Sequence, residues 1–142
     1  MNINCNSIIG SFESAVKSGE VPQQELVAMY ERDVLPLQMV AMREAATRVM
    51  RFDTLYLTAG TQPYSLALSV LATPADRVVF IATDDVTCRV SVQKAIAFAG
   101  LTPERFEEHV FPEPFDAAAM VKEIYCHAVT QGGRAAMDLS AQ

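Results

Sequence analysis

The chain has few positive charges, few cysteines, few histidines and no long apolar run, and each shortage closes off a class of function. Eleven Lys and Arg stand against seventeen Asp and Glu, a formal charge of −6. Affinity for long nucleic acids comes from clustered Lys and Arg that release counterions, so DNA or long RNA is not an expected partner. A small anionic ligand stays open, because backbone N–H groups at helix starts can hold one or a few phosphates without a basic face. No apolar stretch approaches the roughly 20 residues needed to cross a bilayer. The N-terminus, with Asn2, Asn4, Cys5 and Asn6, lacks a basic segment leading into an apolar core. No membrane segment is expected in this chain, and its expected location is the cytoplasm.

The three cysteines, Cys5, Cys88 and Cys126, are odd in number, far apart and without CxxC spacing. They point to a reducing compartment, to neither a disulfide framework nor a zinc site, and are read as buried small hydrophobes. The two histidines, His109 and His127, fall on an expected strand and an expected helix, away from any loop suited to a ligand, and are read as structural or surface residues. There is no nucleophile motif, no metal-ligand spacing, no Walker-type loop and no GxGxxG. Catalytic residues, a metal and a cofactor are therefore not expected.

What is present is a globular balance, 51% hydrophobic with 20% charged over 142 residues, enough to bury a real core. Residues 1–51 read as a helical segment. Phe12, Ala15 and Val16 predict a short helix ending at Gly19, and Pro22 is the expected first residue of the next, with Leu26, Met29, Tyr30, Val34 and Leu37 as its stripe. Pro36 is expected to end or kink that helix near Leu35. Met39, Met42, Ala46, Val49 and Met50 continue a helical stripe expected to pack.

Residues 52–142 alternate strands and helices, the pattern of an α/β domain with a Rossmann-like, mostly parallel sheet flanked by helices. Asp53–Tyr64 carries the organising junction: a β-prone run, a small-residue turn at Gly60 where φ > 0 costs nothing, then Pro63 at a helix start. A helix follows over Tyr64–Leu71. Arg77–Thr83 is the clearest strand, apolar almost throughout as a strand covered on both faces should be. Thr83, Asp84 and Asp85 form a second polar loop, ahead of a helix over Val86–Ala99 stopped by Gly100. Glu107–Phe111 is a weaker strand, Asp116 caps a helix over Ala117–Val129, and Ala135–Leu139 is the fourth strand. Gly132-Gly133-Arg134 is set aside as a phosphate loop, since it precedes a strand and so lies at the sheet's amino end, opposite the usual ligand edge. A parallel strand ending in Ser140-Ala141-Gln142 is expected to deliver a further loop and helix, so the domain is expected to continue past Gln142.

The joint order of four segments then resembles a known family. These are Leu57-Thr-Ala-Gly-Thr-Gln-Pro63, Pro74-Ala-Asp-Arg-Val-Val-Phe-Ile-Ala-Thr-Asp-Asp85, Phe115-Asp116 followed by Glu123-Ile-Tyr125, and Ala136-Met-Asp-Leu-Ser140. Together, over residues 53–142, they resemble a CRISPR-associated Rossmann-fold (CARF) domain. The resemblance implies a dimeric sensor of cyclic oligoadenylate in type III CRISPR defence, linked to an effector, with cyclic tetra-adenylate the favoured ligand. By position it implies ligand contacts from Thr58, Ala59, Gly60, Thr61, Gln62 and Pro63, from Thr83, Asp84 and Asp85, and from Ser140, Ala141 and Gln142. Ala141 and Gln142 depart from the glycines common in the family's last loop, and no lysine follows. Ring-nuclease activity and a generic mononucleotide- or dinucleotide-binding module are the alternatives.

Overall fold

Prolines and glycines set the punctuation of the helical N-terminal part, and the computed structural model, which describes residues 5–112 and 116–138, shows how. The chain forms two compact units, Met1–Glu44 and Ala45–Gln142. In the first, α1 (Cys5–Ser18) stops where Gly19 takes φ 69°, the left-handed cap that costs glycine least. Pro22 is the residue before α2 (Gln23–Met29), not its first: at φ −58° and ψ 148° it offers its carbonyl to the N–H groups of Glu25 and Leu26, both at 3.0 Å.

Pro36 does not end the helical path. The chain passes from α2 through one π-helical turn, Tyr30–Val34, into α3 (Leu35–Ala46), with the Leu35 N–H bonded to the Tyr30 carbonyl five residues back. Proline has no N–H to offer the residue four before it and its ring crowds that carbonyl; a widened turn just upstream accommodates both. The stripe expected through Val49 and Met50 stops at Ala46. Arg48 and Val49 bond the carbonyls three residues back, a tightened turn that carries Val49 and Met50 off the helix face, and both are exposed.

The second unit is a four-stranded sheet in the order β3-β2-β1-β4, every neighbour parallel. The strands are β1 (Phe52–Thr58), β2 (Ala75–Thr83), β3 (Phe106–Phe111) and β4 (Ala135–Asp138). Helices α4 (Pro63–Ala72), α5 (Val86–Ala99) and α6 (Ala117–Gln131) connect them in turn, with a 3₁₀ turn, Pro103–Arg105, before β3. Because successive residues of a strand face opposite ways, two cores form. Leu55, Leu57, Val78, Phe80 and Ala82 pack with Leu66 and Ala67 of α4 and Val92 and Ala95 of α5. Tyr56, Val79, Ile81 and Phe111 pack on the other face with Ile124 of α6.

The α/β class, the parallel sheet and the order of its elements agree with the sequence. In this unit the starts of α4, α5 and α6 are each closed by a side chain: Gln62 accepts from the Tyr64 N–H, Asp85 from Cys88 and Asp116 from Ala119. Cys88 is buried as expected. Cys126 is exposed, because at its place on α6 it points away from the sheet that Ile124 meets.

Candidate functional site

Two helices cover one face of the sheet and α6 covers the other, so the chain changes direction between β1 and β4. In open α/β sheets that reversal leaves a crevice outside the strands' carboxyl ends, where ligands bind. The segment Thr58–Pro63 lies there. Thr58 ends β1 and its hydroxyl reaches the Asp138 carbonyl of β4 at 3.5 Å, while Ser69 of α4 donates to the Asp138 carboxylate at 2.8 Å. Thr61 and Gln62 are exposed.

Gly60 differs from expectation. It is buried, and the glycines with positive φ among the described residues are Gly19, Gly100, Gly132 and Gly133. The left-handed turn is not needed: the Ala59 N–H bonds the Ile81 carbonyl at 2.8 Å, one rung past β1, and the chain bends at Thr61 before Gln62, which sits at φ −107° and ψ 107°. Pro63 is the first residue of α4, as its preset φ favours. The Gln62 carbonyl oxygen accepts from the Tyr64 N–H at 3.4 Å, a bond that does not engage its amide nitrogen.

The second loop is more fully engaged. Thr83 ends β2 with its hydroxyl 3.7 Å from the Cys88 sulfur, Asp85 caps α5 through the Cys88 N–H at 3.1 Å, and Asp84 pairs with Arg89 at 3.6 Å. These carboxylates are helix-start and ion-pair groups first. Ser140, Ala141 and Gln142 lie outside the described residues.

Gly132-Gly133-Arg134 is at the amino end, as expected, and what it meets there is an acid. The Arg134 N–H donates to the Asp53 carboxylate at 2.7 Å, and a Cβ on Gly133 would stand 2.3 Å from that same oxygen.

The fold also assembles a cluster that the sequence did not announce. Val79 lies between Tyr56 and Glu107 in register, so these three share one row across the α6 face. His109, two residues on from Glu107, shares that face, and His127 reaches it from α6. His127 Nδ1 is 2.7 Å from the Tyr56 hydroxyl and its Nε2 3.3 Å from Glu107 Oε2. His109 Nε2 is 2.9 Å from the same Oε2, and Arg77 holds Oε1 at 3.0 Å. The imidazoles meet edge to face, centroids 5.0 Å apart. Burial pushes the Tyr56 phenol above its ordinary value, helped by the Glu107 charge. Burial would also raise Glu107, but hydrogen bonds from His109 and Arg77, with the charge and hydrogen bond of His127, outweigh it and hold the carboxyl below its ordinary value. Both histidines thus have structural partners, in one shared network. Glu-x-His on a strand was the available signal; the place of His127 required the fold.

No protein-family model and no curated protein sequence matches the chain.

Proposed function

We propose that the second unit is a nucleotide-sensing module that binds a cyclic oligoadenylate, tetra-adenylate by preference, across a homodimer and controls a linked effector in type III CRISPR antiviral defence. The observation that carries the location is the strand order, which puts Thr58–Pro63 at the reversal between β1 and β4. The ligand's identity rests on the CARF resemblance. Three features support the reading. The crevice offers the Thr58 and Thr61 hydroxyls and the Gln62 amide, groups able to meet ribose and an adenine edge. The acidic chain needs no basic face for so compact an anion. On α6, Val121, Tyr125 and Val129 fall at i, i+4 and i+8, and all are more than half exposed, an apolar stripe suited to a twofold contact.

Calorimetry with cyclic tetra- and hexa-adenylate tests the proposal on protein whose dimeric state is established by sedimentation. Heat is expected with the tetra-adenylate, and Thr61→Val should weaken it about tenfold, the order expected for one lost hydrogen bond to a polar ligand group. Silence with both rings on folded dimer sinks the idea. Linear products from labelled ligand would make the protein a ring nuclease, and saturable NAD or ATP binding without cyclic adenylates would make it a generic nucleotide module.

A further inference from the structure

The geometry points to a metal site: Glu107, His109 and His127 form a three-ligand centre for a divalent transition-metal ion of the zinc class, on the α6 face of the sheet and separate from the carboxyl-edge crevice. One donor atom from each residue lies within 4.8 Å of the other two. The two distances from Glu107 Oε2, 2.9 Å to His109 Nε2 and 3.3 Å to His127 Nε2, can be read as the edges of a coordination polyhedron. Metal–ligand bonds of about 2.0–2.1 Å put two donors about 2.9 Å apart at a right angle and about 3.4 Å apart at the tetrahedral angle. Both distances fall within that range, and the third edge, between the two imidazole donors, is no longer than 4.8 Å, so an ion can be seated as the imidazoles close on Glu107 Oε2.

The surroundings are those of a ligating set. Arg77 holds Glu107 Oε1, which turns Oε2 toward the imidazoles and favours one-oxygen ligation. The Tyr56 hydroxyl, on a side chain 1% exposed, stands at His127 Nδ1; with Nε2 on the metal, Nδ1 keeps its proton and donates to that oxygen, the outer-shell bond that metal-bound histidines commonly make. The His127, His109 and Glu107 side chains are 13, 20 and 30% exposed, so an ion has a way in from solvent. Two nitrogens and one carboxylate oxygen suit zinc and neighbouring divalent metals, and three protein ligands leave a position for water or an outside ligand. The ion would also fasten α6 to β3.

The test uses tag-free full-length protein, stripped with chelator and then titrated with Zn²⁺ by calorimetry and with Co²⁺ by visible absorption. One ion per chain is expected. His109→Asn and His127→Gln should each lower affinity 100-fold or more, and Tyr56→Phe about 10- to 100-fold through loss of the outer bond. Cys126→Ser should change nothing, which separates the site from binding at the exposed thiol. Because the chain has two histidines, an imidazole ¹⁵N spectrum gives a readout that needs no variant: metal should fix His127 as the Nδ1–H tautomer. Circular dichroism without metal confirms that each variant is folded. Failure to bind either ion, affinity indifferent to both histidine variants, or a cobalt–thiolate band abolished by Cys126→Ser would overturn the inference and leave a hydrogen-bonded His–Glu–His cluster.

Discussion

Among the described glycines with positive φ, Gly133 is the one that leaves no room for a side chain. Its φ of 77° lies in the left-handed region, and a Cβ there would fall 2.3 Å from Asp53 Oδ2, an oxygen already bonded to the Arg134 N–H. Gly133→Ala must strain the backbone or push the carboxylate off its donor, so it is expected to lower unfolding free energy by about 1–3 kcal/mol in urea titration. Gly132, at φ 68° with open space around it, should tolerate Ala at the lower end of that range. The pair was legible in sequence as a turn at the amino end. The carboxylate was not, because 79 intervening residues separate Asp53 from Gly133 and only the β1–β4 pairing brings them together.

At the scale of elements, what could be read was whatever a local rule dictates. The apolar run from Val78 to Ala82 announced a strand covered on both faces, Gly100 marked the end of α5, and Asp84, Asp85 and Thr87 were all able to cap its start, where Asp85 is the one used. The π-helical turn was not readable, since Pro36 specifies only that the ladder must be interrupted and not that widening rather than exit resolves it. Tyr30 opens that turn and joins three elements: its ring meets Phe12 of α1 at a tilt of 51°, centroids 5.9 Å apart, and its hydroxyl donates to Gln38 of α3. Burial raises its phenol above 10.0. With the folded value above the unfolded one, the folded state binds the proton more tightly. The associated stability is fully present below pH 10.0 and is lost as pH rises through the folded value. Tyr56, whose phenol is raised too, adds a loss of the same sign, so Tyr30→Phe should reduce the alkaline loss in melts followed by far-ultraviolet dichroism without abolishing it; an unchanged alkaline slope would place its origin elsewhere.

For the α/β unit taken whole, the two ends of the sheet are unlike. At the amino end, Phe52 and Asp53 donate to the carbonyls of Pro74 and Arg134, Arg105 grips the Ala75 carbonyl at 2.6 Å, Arg51 meets Asp76 at 2.7 Å, and Asp53 takes the Arg134 N–H. At the carboxyl end, the Ala59 and Asp84 N–H groups each make one further rung, to the carbonyls of Ile81 and Phe111, both at 2.8 Å, and the side-chain bonds of Ser69 to Asp138, Asp84 to Arg89 and Asp85 to Cys88 run from helix to strand or loop, with Thr58 to Asp138 crossing between strands at 3.5 Å. The parallel sheet, and with it which loops lie at the carboxyl edge, was legible from the alternation of strands and helices; this imbalance was not, because it depends on which side chains the register brings to each rim. It predicts an order of events in amide hydrogen exchange. Ala59 and Asp84 should exchange well before Phe52, Asp53 and Arg134, and a ligand seated in the crevice should slow the first pair while leaving the second unchanged. On that prediction the sheet behaves as a book bound along one edge: its pages loosen first at the free margin, and a molecule caught there is reported by how long that margin takes to open.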